Sequence, residues 1–190
     1  IAPHLNQSAG QLSFVQADLE SDAGWAEAFE GVSALVHTAS PFPISQPKDP
    51  AVLIRPAVEG TERVLKAAAA AGVERVILTS SVVAVINESK LDTLQDEADW
   101  CDVHLPTTSA YGKSKTLAER TAWELAKTRH LKLTTINPGF VLGPPLDGQY
   151  GSSIGFVERL LKGRDPMLPQ YGLPVVDVRD VAEMHLRALM

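Results

Sequence analysis

Apolar and polar positions along this chain follow two rhythms in turn. Short apolar runs of strand length fall at Leu12 to Ala17, Ala34-Leu35-Val36, Arg75 to Leu78, Leu131 to Ile136 and Pro174 to Val178. Stretches with apolar residues at helical spacing separate them. Strands alternating with helices predict an α/β protein with a parallel sheet. The first run ends at Asp18. Ser21 is then placed to cap a helix with Trp25, Ala28 and Phe29 on its apolar side, stopping near Gly31. Pro41, Pro43, Pro47 and Pro50 predict a loop. A long helix follows from about Ala51 to Ala71, with Val64, Leu65 and Ala68 facing inward and Gly72 as its C-terminal cap. Pro56 should end or kink its first turns. Residues 87–108 are polar and irregular, with Trp100 as an anchor. A second long helix reaches about Arg129. The segment from Leu142 to Gly172 is rich in Gly and Pro around one short helix, Ile154 to Leu161, and Arg179-Asp180 leads into a last helix. No internal repeat or low-complexity tract interrupts the pattern.

Composition narrows the class. At 190 residues the chain is one domain, or one domain with part of another. With 45% hydrophobic and 21% charged residues it has the material for a core. The net charge is −6 and the 17 Lys and Arg are scattered, so no basic footprint for nucleic acid is present. The single cysteine, Cys101, excludes an intrachain disulfide and suits a reducing, cytoplasmic setting. No apolar stretch has membrane-spanning length. No signal peptide opens the chain, and Ile1 reads as a cut rather than a natural start.

The candidate chemistry lies on the second long helix. Tyr111 and Lys115 in Tyr111-Gly112-Lys113-Ser114-Lys115 are about one helical turn apart and project from the same face. A phenol beside a fixed positive charge ionises more readily, which makes Tyr111 a proton donor to a carbonyl. Upstream, the run Val76-Ile77-Leu78 ends in Thr79-Ser80-Ser81, which sets a hydroxyl at a strand tip. Each residue also has an ordinary reading: Ser81 as a cap, Tyr111 as a half-buried anchor, Lys115 as a solvated charge. The three in order, each on the appropriate element, favour catalysis. Asp18 ends a strand at the edge where open α/β sheets bind ligands, or else forms a turn. His37 reads as a packed structural histidine; no second ligand lies at metal spacing from it. Gly112-Lys113-Ser114 ends like a phosphate-binding loop, but Thr107 stands where the first glycine belongs, so that reading is rejected. Gly148, Gly151 and Gly155 follow no strand and are not a dinucleotide fingerprint. Trp25 and Trp123 are expected in the core.

With those residues in place, the chain resembles an extended short-chain dehydrogenase/reductase of the NAD-dependent epimerase/dehydratase family. It most resembles the branch with dihydroflavonol reductases and NADPH-dependent carbonyl and aldehyde reductases. The matching stretches are Phe14 to Leu19, His37-Thr38-Ala39-Ser40-Pro41-Phe42, Val58-Glu59-Gly60-Thr61, Thr79-Ser80-Ser81, Tyr111-x-x-x-Lys115 and Asn137-Pro138-Gly139-Phe140-Val141-Leu142-Gly143-Pro144. They span nearly the whole chain in family order.

That resemblance implies a Rossmann-type doubly wound parallel sheet and a set of roles. Ser81, Tyr111 and Lys115 would form the catalytic trio, with Tyr111 as the acid and Lys115 also bonding the nicotinamide ribose. Asp18 would contact the adenine amino group, with Leu19 beside the ring. Thr38, Ala39 and Ser40 would line the cofactor path. The backbone at Phe140 and Val141, after Pro138, would meet the carboxamide, and Ser153 would add a contact. His37 would border the substrate.

The implied reaction is hydride transfer from NADPH to a ketone or aldehyde, as a monomer or homodimer, with no membrane or nucleic-acid partner. Residues 1–141 would be a partial dinucleotide-binding domain, 142–176 the start of a substrate-binding region, and 177–190 a return to the first. The family's Gly-rich pyrophosphate loop, its first two strands and most of its substrate lobe are absent from this sequence. The residues that choose NADP or NAD belong with the missing second strand, so NADP follows from the branch and NAD stays open. The expected consequence is a gap, or an improvised pairing, between residues 12–17 and 34–37. The rival within the superfamily is a nucleotide-sugar epimerase, and outside catalysis a non-catalytic NAD(P)-binding sensor. Val82-Val83 stand where dehydratases of this type carry an Asp-Glu pair, which argues against dehydration.

Overall fold

The computed structural model describes residues 12–42, 47–146, 151–163 and 172–190; Pro43, Gly148 and the stretch 164–171 of the Gly- and Pro-rich segment fall outside them. The main sheet has three parallel strands in the order β1 (Ala34–His37), β2 (Arg75–Thr79), β3 (Lys132–Ile136). The long helix α2 (Ala51–Ala70) connects β1 to β2, and α3 (Ala110–Arg129) connects β2 to β3. Right-handed crossovers in a sheet of this order put both helices on one face, where they pack along each other.

Period-two alternation on β2 sorts its residues between two cores. Val76 and Leu78 join Val64, Leu65 and Ala68 of α2 and Ala122 and Ala126 of α3 in the principal cluster. Arg75, Ile77 and Thr79 point the other way. There α5 (Val178–Leu189) docks. The Arg75 guanidinium donates to the Ala188 carbonyl at 3.2 Å, and the Thr79 hydroxyl lies 2.7 Å from Nε2 of His185.

A second, two-stranded parallel sheet joins β4 (Phe140–Leu142) to β5 (Val175–Asp177). Only glycine fits at Gly139 beside it, because a Cβ there would lie 2.0 Å from the Pro174 carbonyl oxygen. Helix α4 (Ser152–Leu161) starts two residues earlier than the apolar pattern indicates.

Several expectations need correction. Leu12–Ala17 forms no strand; it is exposed chain without regular secondary structure, and β1 has β2 as its only described partner. A strand needs a neighbour to satisfy its N–H and C=O groups, and among the described residues none stands there, so the gap is what is found. Helix α1 (Trp25–Ala28) is capped by Gly24 rather than Ser21, whose hydroxyl accepts the Ala23 N–H instead, at 3.2 Å. Pro56 neither ends nor breaks α2. It sits in the second turn, where a missing N–H removes a single bond. Gly72 does cap α2: it takes φ +81°, and the Val73 N–H reaches back to the Ala68 carbonyl at 3.0 Å. Trp25 packs against the core, stacked with Phe29, whereas Trp123 is 41% exposed.

Candidate active site

Helix α3 begins with a side-chain cap, the Ser109 hydroxyl accepting the Gly112 N–H at 3.0 Å. That start fixes Tyr111 in the first turn and Lys115 one turn on. The Lys115 ammonium lies over the Tyr111 ring, 5.9 Å from its centroid, and Phe42 meets the same ring edge-on at 4.9 Å. Ser81 follows β2 directly. Its hydroxyl accepts the Val83 N–H at 3.4 Å, capping a short 3-10 turn, and lies close enough to the Tyr111 phenol to act on it. The capping reading of Ser81 therefore holds, and the structure brings Ser81, Tyr111 and Lys115 near one another.

The electrostatics differ from the expectation in one respect. Burial raises the Tyr111 phenol above its ordinary 10, and the neighbouring Ser81 hydroxyl offsets part of that rise. The predicted lowering by Lys115 is not found: its ammonium sits over the ring, and burial is the largest influence on the phenol. Lys115 is itself 7% exposed, and burial pulls it down to about 8 against the opposing charge of Glu119. His37, at the end of β1, is 4% exposed with no partner for Nε2; burial, then the Lys115 charge, lowers it to about 4. It is the packed histidine expected, held neutral, and it lies close enough to feel Lys115.

A buried polar cluster escaped the sequence reading. Glu119, 4% exposed, accepts from the Ser80 hydroxyl, from Nδ2 of Asn137 at 2.8 Å and from Nε1 of Trp123 at 3.3 Å. Asn137 also donates to the Ser81 carbonyl at 3.3 Å. The ends of β2 and β3 are thereby tied to α3 beside the trio. The signal was available: Glu119 lies one turn past Lys115, on the face that also buries Ala118, Ala122 and Ala126.

The remaining candidates are more dispersed. Asp18 is exposed and closes its own turn, accepting the Glu20 N–H at 2.8 Å, so the turn-forming reading holds whatever else it binds. Leu19 is half-buried against Gly60, where an added Cβ would come within 2.9 Å of it. Arg63 of α2, also missed, holds this turn by donating to the Leu19 carbonyl and pairing with Asp22. Thr38 and Ala39 are exposed beyond β1, and Ser40 is half-buried. Pro138 accepts the Val82 N–H at its carbonyl, 2.9 Å away. The Phe140 N–H donates to the Pro174 carbonyl at 2.6 Å, so that amide is engaged in the second sheet rather than free for a carboxamide. Val141 and Ser153 are half-buried. Near them an apolar groove of about 640 Å³ runs between Leu142, Gly143 and Pro145 on one side and Ile154, Val157 and Leu161 of α4 on the other.

The chain is similar to known proteins in sequence and in fold. The chain is 36% identical over 190 residues to cinnamoyl-CoA reductase 1 of Arabidopsis thaliana, covering 96% of this chain and 54% of the relative. It thus spans about half the length of the curated relatives it matches. The structure of yeast methylglyoxal/isovaleraldehyde reductase Gre2 complexed with NADPH superposes with a TM-score of 0.78 at 30% identity, covering 90% of this chain and 57% of that one. Vestitone reductase from alfalfa (Medicago sativa) gives a TM-score of 0.77 at 32% identity over 98% of this chain and 59% of that one. The model of the NAD dependent epimerase/dehydratase family matches residues 2–190. By fold, by sequence and by the order of its motifs, this chain belongs to the NAD dependent epimerase/dehydratase family, among the extended short-chain dehydrogenases/reductases.

Proposed function

We propose that this chain carries the chemical half of an NADPH-dependent reductase of ketones or aldehydes. The observation that carries the reading is the meeting of the Ser81 hydroxyl and the Tyr111 phenol beside a buried ammonium at the end of the parallel sheet. Two O–H donors at one point suit a carbonyl oxygen that gains negative charge. A phenol raised by burial stays protonated at neutral pH, and so has a proton to give.

The residues present fit a nicotinamide cofactor. Among the described residues Lys115 makes no ion pair, which leaves its donors for ribose hydroxyls. The carboxylate of Asp18 and the side chain of Leu19, anchored by Gly60 and Arg63, suit an adenine. Thr38, Ala39 and Ser40 would flank the path between. When bound, the nicotinamide would supply a hydride to the carbonyl carbon. Ser81 orients and polarises the carbonyl oxygen, Tyr111 protonates it, and Lys115 holds the ribose. The groove beside α4 would take the apolar part of the substrate. The likeness to an NADPH-complexed reductase supports NADPH. Residues 1–141 and 177–190 then belong to the cofactor domain, a division supported by the docking of α5 on β2 and β3, and residues 142–176 begin the substrate region.

Tyr111→Phe in the full-length enzyme tests the assignment. It should slow the chemical step at least about 100-fold, the low end for acid catalysis, with little change in cofactor affinity. Near-normal turnover would sink the reading.

A further inference from the structure

Lys115 carries its charge in a poor place for one. It is 7% exposed and, among the described residues, pairs with no carboxylate within ion-pair distance. The groups around it come from each element packed there. Its own helix contributes Tyr111 one turn before and Glu119 one turn after. The end of β1 contributes His37, held neutral, while β2 and β3 end in the uncharged Ser80, Ser81 and Asn137. Glu119 is the acid whose charge acts on Lys115, and α2 contributes none.

Glu119 is buried at a cost that packing alone does not explain. Ala118, Ala122 and Ala126 fill the neighbouring positions of the same face without any polar atom. Placing a carboxylate there requires donors, and three are supplied, from Ser80, Asn137 and Trp123. Two of them sit at the ends of strands that also position Ser81.

We propose that Glu119 is a positioning residue: the buried counter-charge that holds Lys115 as an ammonium, fixed in place by the ends of β2 and β3. The geometry is that both side chains are buried one turn apart on α3, with the Glu119 carboxylate anchored by Ser80, Asn137 and Trp123; the consequence for catalysis rests on the reductase reading above. Burial and Glu119 pull Lys115 in opposite directions, and the balance leaves it at about 8. Removal of the carboxylate lets burial act unopposed, and Lys115 then loses its proton closer to neutrality.

The test is a side-chain NMR titration of Lys115 in the full-length protein, its signal assigned by loss in Lys115→Met. Glu119→Gln keeps the size of the side chain and an acceptor for Asn137 while removing the charge. Its Lys115 midpoint should fall by about one unit, the low end for an opposite charge one turn away. Glu119→Asp, which keeps the charge, should lose less than half of that. If Glu119→Gln does not fold, Glu119→Met fills the space without charge and should give the same fall. A midpoint unchanged in the neutral variant, or equal midpoints for the neutral and aspartate variants, overturns the proposal. The alkaline limb of kcat/KM should move with the NMR midpoint. Because the titration reads charge and not turnover, normal activity in Tyr111→Phe would remove the reductase reading and leave this result intact.

Discussion

His37 should make the protein acid-sensitive by a calculable amount. Its imidazole is 4% exposed, its Nε2 has no partner, and burial with the Lys115 charge holds it down to about 4 from an ordinary 6.5. The folded-state value lies below the unfolded one, so between about 4 and 6.5 the unfolded chain binds the extra proton. Stability therefore rises with pH across that window and is lost as pH falls through it. At about 1.4 kcal/mol per unit, the interval corresponds to about 3 kcal/mol between pH 7 and pH 4. Carboxylates titrate in the same range, so the informative quantity is a difference between two proteins. His37→Leu keeps an apolar residue of similar size and removes the titration. Urea midpoints followed from pH 4 to 7 should show a slope in the wild type that is about 3 kcal/mol steeper over the window than in His37→Leu. A direct titration of the His37 ring by NMR should show it neutral at pH 6. Parallel stability curves, or a ring titrating near 6.5, would refute the argument, because either would mean that the ring finds water or a partner when it charges.

Two further outcomes follow from the cofactor side. If Asp18 accepts a hydrogen bond from adenine, Asp18→Ala should weaken NADP binding by about 1–3 kcal/mol without moving substrate saturation at excess cofactor; equal dissociation constants would leave Asp18 with its turn alone. The 190 residues by themselves should aggregate or fold only in part, bind NADP negligibly and lack reductase activity, since among the described residues β1 pairs only with β2 and Leu12–Ala17 joins no strand. Cooperative unfolding with micromolar NADP affinity by calorimetry would show that the sheet closes by another route.

What the sequence revealed and what it hid divide along a physical line. The helix of Tyr111 and Lys115, the strand ending before Ser80 and the helix ending at Gly72 were legible because local rules determine them: a hydroxyl cap, a period of 3.6 or 2, a residue free to take positive φ. Leu12–Ala17 has the composition of a strand and is none, because strand formation depends on a neighbour that no local pattern supplies. The extra strand Phe140–Leu142 went unseen for the converse reason. Its partner, Val175–Asp177, lies far along the chain, and Gly139, which permits the approach, reads locally as a turn glycine. The site divides in the same way. Ser81, Tyr111 and Lys115 were found by spacing and motif order. Glu119 and Arg63 were not, since an acid or a base on a helix is ordinarily a solvated charge, and only the tertiary packing shows them buried or bridging.

The spacing of Tyr111 and Lys115 also misled, in an informative way. One turn of separation guarantees proximity and leaves orientation undetermined. Here the ammonium lies over the ring, and burial raises the phenol instead of lowering it. An acid of this kind is fully protonated over the working range, so activity need not fall as the phenol ionises. The group that changes state first is Lys115, at about 8. In the proposed reaction Lys115 would above that value lose the charge with which it would hold a ribose, while Tyr111 still holds its proton. The alkaline limit of such a site would then be set by the lysine, and, on the proposal made above, the lysine in turn by the buried glutamate one turn further along the helix.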